Sequence, residues 1–165
     1  MTNDKTMIGG IKMIIIVEGP DGAGKTTLAE KISAQTKFPI EHRSKPKTEE
    51  EKAKMMEDYL NLVKSARNVI LDRCWYSEMV YGRVMRDQSY IDYPQMYELE
   101  KGLAKHGALI IYCTGPKERL WARATRRGED YITSRDNFNA ICNEYDKLMN
   151  CPHIIPVLTY EYKDV

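Results

Sequence analysis

The residues best suited to chemistry stand together near the amino end: Gly19-Pro20-Asp21-Gly22-Ala23-Gly24-Lys25-Thr26. Every fixed position of the spacing G-x-x-x-x-G-K-[ST] is filled, and a run of β-branched residues precedes it. A chain of phosphates needs many donors and little steric bulk. Glycines at 19, 22 and 24 let backbone N–H groups close around such an anion, while the helix that follows directs its positive end at it. Gly19, Asp21, Gly22, Ala23, Gly24, Lys25, Thr26 and Thr27 are therefore the candidate contacts to a nucleotide's phosphates. Lys25 would reach the β- and γ-phosphates, and the Thr26 hydroxyl would ligand Mg²⁺.

Two further groups could serve the same chemistry. Asp72 and Arg73 end an apolar run at residues 68–73. A carboxylate there can organise Mg²⁺ or accept the proton of an attacking oxygen, and the arginine can pair with a phosphate. The plainer alternative is an ion pair that only finishes a strand. After Pro116 come Arg119, Arg123, Arg126 and Arg127, roughly four apart, so that Arg119, Arg123 and Arg126 or Arg127 share one helix face. A solvated basic face is the default for such a run. The Gly128-Glu129-Asp130 break that follows favours a lid near 119–133, whose arginines close over the transferring phosphoryl group and exclude water. His42, His106 and His153 have no partner at a telling spacing and read as structural or surface residues.

The elements that must position these residues follow from periodicity. Residues 13–17 are continuously apolar, the mark of a strand buried on both faces of a parallel sheet. A helix runs from the loop to about residue 35, and a short strand follows at 38–42. Thr48 with Glu51 has capping-box spacing for a helix whose apolar face is Met55, Met56, Tyr59, Leu60 and Val63. A third strand covers 68–73 and a short helix 77–86. Asp92 caps a helix carrying Met96, Leu99 and Leu103 that stops at Gly107. A fourth strand spans 108–113. Pro116 suits a first helical turn, and Thr133 starts a last helix with Phe138, Ile141, Tyr145 and Leu148 on one stripe. The final strand, at 153–158, contains Pro156 and so belongs at a sheet edge. Five strands alternating with helices predict an α/β fold, with a doubly wound, mostly parallel sheet and helices on both faces.

Composition sets the bounds. A chain of 165 residues accommodates one domain, read as 12–165 after a flexible extension at 1–11. The net charge of +1 gives no general attraction to nucleic acid or to an anionic membrane. The longest apolar run is far short of a membrane span, and no signal-peptide core is present. Cys74, Cys113, Cys142 and Cys151 show neither zinc spacing nor a pairing rhythm, which suits a reducing cytoplasm.

These segments carry a family resemblance. Residues 18–27, Glu-Gly-Pro-Asp-Gly-Ala-Gly-Lys-Thr-Thr, resemble the thymidylate kinase form of the P-loop. Residues 72–81, Asp-Arg-Cys-Trp-Tyr-Ser-Glu-Met-Val-Tyr, are similar to that family's D-R-Y-x-x-S-x-x-A-Y segment. Pro116 to Leu120, with Arg123, Arg126 and Arg127, are similar to its lid. The resemblance implies a P-loop NTPase fold in which Asp21 holds the acceptor sugar and Arg73 the acceptor phosphate. It also implies that Ser77 and Tyr81 line the acceptor pocket while the lid arginines hold the donor phosphates. The family's E-P-G turn and L-L-F-x-A-x-R segment are absent, Gly82 replaces its glutamine and Thr114 stands where an aspartate is common. A compact, phage-type relative fits these departures, and the base stays open.

The leading expectation is Mg²⁺-dependent transfer of the ATP γ-phosphoryl group to a deoxynucleoside monophosphate, a small-molecule acceptor. Trp75, Tyr76, Tyr81 and Arg83 are expected to stack on or pair with the acceptor. Arg83 and Arg86 lie one helical step apart and would add charge on that side. A deoxynucleoside, or a hydroxyl-bearing base in DNA, is the alternative acceptor. A nucleotide-driven switch without an acceptor is the alternative of another class. A homodimer is compatible with all of these.

Overall fold

The computed structural model describes residues 12–43, 46–65, 67–126 and 134–163. The expected extension at 1–11 and the lid segment at 127–133, with Arg127, Gly128 and Thr133, lie outside the described residues. Five strands, β1 (Met13–Glu18), β2 (Ile40–His42), β3 (Val69–Asp72), β4 (Gly107–Thr114) and β5 (Val157–Glu161), form one sheet in the order β2-β3-β1-β4-β5. Every neighbouring pair is parallel. β1 is the middle strand, with Ile14, Ile16 and Val17 fully buried, as its unbroken apolar run requires. The chain first crosses from β1 to one side and later to the other. That reversal places a crevice at the carboxyl ends of β1 and β3, where Val17 is in register with Asp72.

The helices are α1 (Lys25–Thr36), α2 (Glu49–Ala53), α3 (Met55–Lys64), α4 (Trp75–Arg86), α5 (Tyr93–Ala104), α6 (Lys117–Arg126) and α7 (Arg135–Asn150). α4 packs on α7 and α3 on α5, while α1 leans on β1, β2 and β3. Asp92 and Gln95 form the reciprocal capping box at the start of α5, and Ser134 caps α7. All four cysteines are free thiols. Among the described residues no helix is long and apolar enough to cross a membrane.

Several boundaries differ from the periodicity, each for a local reason. The helix expected after Thr48 is two, divided at Lys54, and the residues buried after the break are Met55, Leu62 and Val63. The Glu51 carboxylate takes the Lys47 N–H at 2.6 Å and not that of Thr48, so only half of a capping box forms. β2 starts at Ile40 because Phe38 is tied back to α1 by the Ser33 and Thr36 hydroxyls. β5 begins four residues later than expected: His153 and Ile154 are drawn to Glu100, and Pro156 sits just ahead of the strand, its carbonyl accepting the Ile110 N–H at 2.9 Å. The edge position of β5 stands.

Candidate active site

The loop between β1 and α1 is clasped from outside. Gly22 and Gly24 have φ of 82° and 78°, a region that only glycine enters freely. A Cβ at Gly22 would strike the Leu120 carbonyl of α6, and one at Gly24 would lie 2.7 Å from the Tyr162 ring. Inside the loop, Lys25 Nζ donates to the Pro20 carbonyl at 2.8 Å. Burial, reinforced by the Arg73 charge, pushes the Lys25 ammonium down to about 8.

At the crevice, Thr26 Oγ1 donates to Asp72 Oδ2 at 3.1 Å, and His42 Nδ1 lies 3.0 Å from the same oxygen. A hydroxyl and a carboxylate so placed are the hard oxygen donors that Mg²⁺ prefers, and these two residues would hold it.

The other wall is built around Arg73, which leaves β3 with φ 72°. Its guanidinium pairs with Asp21 through Nη2 and, through Nη1, donates to Ser77 Oγ at 3.1 Å and to the Tyr145 hydroxyl at 3.4 Å. Tyr81 donates to the second Asp21 oxygen at 3.3 Å, and Arg73 lies 5.5 Å above the Tyr81 ring. Beneath them is Glu18, completely buried. Its Oε1 accepts the Cys74 and Ser77 N–H groups at 2.7 and 3.1 Å, and its Oε2 accepts the Ser77 and Tyr145 hydroxyls at 2.7 and 3.2 Å. Burial raises the Glu18 carboxyl, opposed by the Arg73 charge and these donors.

One cavity of about 250 Å³ gathers Asp21, Gly22, Gly24, Lys25 and Thr26 with Asp72 and Arg73. It also holds His42 and Arg43, which the spacing had given no reason to choose. His42 is exposed, in keeping with its reading as a structural or surface residue, and from that surface position its ring also lines the cavity. His106 and His153 do serve the scaffold, bonded to the Val63 and Leu148 carbonyls. Gly19 is packed against the Cys113 carbonyl, Ala23 is buried, and Thr27 sits on the first turn of α1.

Four expectations for the acceptor side change. Tyr76 is fully buried and donates to Glu100 at 2.9 Å, and Trp75 is equally enclosed, so neither ring lines the cavity. Arg83 lies 4.7 Å above the Tyr93 ring and Arg86 pairs with Glu78, so both arginines are held outside the cavity lining. The helical period placed these side chains on a helix without fixing which face met the site. Ser77 and Tyr81 belong to the wall, yet their hydroxyls are engaged with Glu18, Arg73 and Asp21.

The basic face of α6 also divides. Arg123 is buried, donates to the Gly22 carbonyl at 3.1 Å and stacks 3.8 Å over Tyr162. Arg119 points towards Glu161, 3.9 Å away, and Arg126 is exposed at the end of the helix. This part of the expected lid therefore rests on the loop through Leu120, Arg123 and Ala124.

The polyphosphate kinase 2 family model matches residues 2–131. The chain belongs to the polyphosphate kinase 2 family. It is a P-loop kinase, so the resemblance read from the motifs holds at that level, with polyphosphate kinase 2 rather than thymidylate kinase as the family shown. The SPbeta prophage-derived protein YorR of Bacillus subtilis strain 168 is 30% identical over 137 residues, spanning 83% of this chain and 82% of that one. The crystal structure of YorR in complex with phosphorylated GDP superposes with a TM-score of 0.75 at 28% identity, covering 90% of this chain and 85% of YorR. Two more distant structures share the fold. A deoxyadenosine kinase from M. mycoides with its products dCMP and dCDP gives a TM-score of 0.62 at 18% identity over 90% of each chain. Polyphosphate kinase 2 from Arthrobacter aurescens TC1 gives 0.66 at 17% identity, over 94% of this chain and 63% of that one.

Proposed function

We propose that the protein transfers the γ-phosphoryl group of ATP to a deoxynucleoside monophosphate, with Mg²⁺ held by Thr26 and Asp72. The observation that carries this reading is that Arg43 and Arg73 line the same cavity as the phosphate loop. A cavity with two guanidinium groups beyond the loop suits an acceptor that brings its own phosphate. At neutral pH such an acceptor attacks through an oxygen that is largely deprotonated already. The site then has to supply position and charge, and no general base. Lys25 would leave the Pro20 carbonyl for the donor phosphates, whose charge keeps it protonated. Bound Mg²⁺ would neutralise charge between the donor phosphates. Asp21, with Tyr81 behind it, would receive the acceptor sugar, and arginines of α6 and the residues after it would close on the donor. YorR in complex with phosphorylated GDP supports a nucleotide ligand at such a site.

A second reading has its own support. Arg73 is already paired with Asp21, and an arginine so neutralised suits an uncharged deoxynucleoside. Turnover with ATP or inorganic polyphosphate as donor, against deoxynucleosides, their monophosphates and oligonucleotides, separates the two. Monophosphates are expected to exceed the matching nucleosides by at least ~10²-fold in kcat/KM, about 2.7 kcal/mol. Faster phosphorylation of nucleosides or DNA overturns the first reading in favour of the second.

A further inference from the structure

Arg73 is the cation on which the acceptor reading turns, and its backbone is poor at holding it still. It has left the strand in a left-handed conformation, and the helix behind it, α4, starts at Cys74 with no side-chain cap of its own. What fixes both lies one strand away. Glu18 Oε1 accepts from Cys74 N and from Ser77 N, which it shares with the Cys74 carbonyl at 3.2 Å, in the first turn where a helix lacks its full set of intrahelical partners. The last residue of β1 thus caps α4 from across the sheet.

The other carboxylate oxygen sets the direction of the protons above it. An arginine can only donate, an ionised carboxylate can only accept, and each hydroxyl has one proton to give. Ser77 Oγ and the Tyr145 hydroxyl lie between the two, 2.9 Å from each other. With their protons turned towards Glu18 Oε2, both oxygens present lone pairs to Arg73 Nη1. We infer that Glu18 is a positioning residue for Arg73: through Ser77, Tyr145 and the start of α4 it orders the hydrogen bonds that aim the guanidinium at the acceptor. Glu18 touches no substrate. It does not line the cavity, and all four of its bonds go to protein groups. A neutral amide in its place would donate to the hydroxyls, take the lone pairs that Arg73 uses and leave the guanidinium without two of its acceptors.

The role assigned to Glu18 rests on Arg73 serving the acceptor, so the test is a double-mutant cycle on kcat and both KM values, using the acceptor on which the wild type is fastest. Glu18→Gln is expected to raise the acceptor KM at least tenfold while the ATP KM stays within twofold. Arg73→Ala is expected to be worse, and adding Glu18→Gln to it should cost less than a further threefold. Independent, multiplying losses overturn the inference, as does a Glu18→Gln enzyme with normal acceptor kinetics beside an impaired Arg73→Ala. Normal acceptor kinetics in Arg73→Ala overturn both the inference and the acceptor reading beneath it. If Glu18→Gln does not fold, the same cycle with Tyr145→Phe decides. That variant keeps the ring and removes one acceptor of Arg73, and a threefold or larger rise in acceptor KM that vanishes beside Arg73→Ala is the expected result.

Discussion

Two carboxylates, Glu18 and Glu100, are wholly buried in this fold, and they serve different ends. Glu100 of α5 accepts the Tyr76 hydroxyl, the Ile154 N–H and His153 Nδ1 at 2.9, 2.7 and 2.9 Å. His153 Nε2 faces the Leu148 carbonyl at 2.8 Å, so both ring nitrogens meet acceptors, an arrangement that favours the protonated ring. This cluster closes on itself: the His153 and Glu100 side chains are buried together, and none of its members lines the cavity. Glu18 meets four donors to the three of Glu100, but its cluster ends in Arg73, which opens into a cavity. The same physics of a satisfied buried anion thus yields scaffold where the network is closed and a site where it ends in a half-open cation.

The sharpest way to break this contrast is at the loop. Lys25→Met is expected to lower kcat about 10³-fold, about 4 kcal/mol of transition-state stabilisation, with an unchanged melting temperature. Wild-type phosphoryl transfer by that variant would remove the loop from the mechanism. At the closed cluster the expectation is reversed. Glu100→Ala leaves the Tyr76 hydroxyl, the Ile154 N–H and His153 Nδ1 without their acceptor and should cost about 3 kcal/mol of stability, roughly 10 °C in Tm, while kcat of the folded fraction stays within twofold of wild type. A variant that kept its stability and lost turnover would show that the closed cluster also serves catalysis.

The smallest effect is in pH. The bonds to Glu100 and Leu148 outweigh burial and raise the His153 imidazole above its ordinary 6.5. Its stabilising contribution is therefore complete below about 6.5 and is lost as pH rises through the higher folded value. Thermal scans from pH 6 to 9 should show a decline that His153→Gln abolishes. A decline that survives this substitution belongs to another group.

What could be read from the sequence was whatever is local. The phosphate loop is a contiguous pattern, β1 an unbroken apolar run, and Asp92 caps its own helix. Asp72 and Arg73 were legible because they end a strand beside that loop. Glu18 could not be assigned its role, because its partners are 56 to 127 residues away in the chain. Tyr145 looked like one more rung of an apolar stripe. Its ring does stack on Tyr112 in the core, while its hydroxyl alone reaches the site. His42 and Arg43 acquire meaning only when β2 is laid beside β3, with His42 in register with Asp72.

The order of the strands also sets a schedule. Ile14 pairs with Val69 on one side and with Ala108 on the other. On a ribosome adding ~5–20 residues per second, the second partner emerges several seconds after the first. Through that interval the most apolar strand waits with one edge unpaired. The loop joined to it, among the earliest parts to be made, is among the last to be braced, because its clasp comes from α6 and Tyr162. Synthesis therefore leaves β1 exposed to wrong partners before the nascent chain has any means of holding a phosphate.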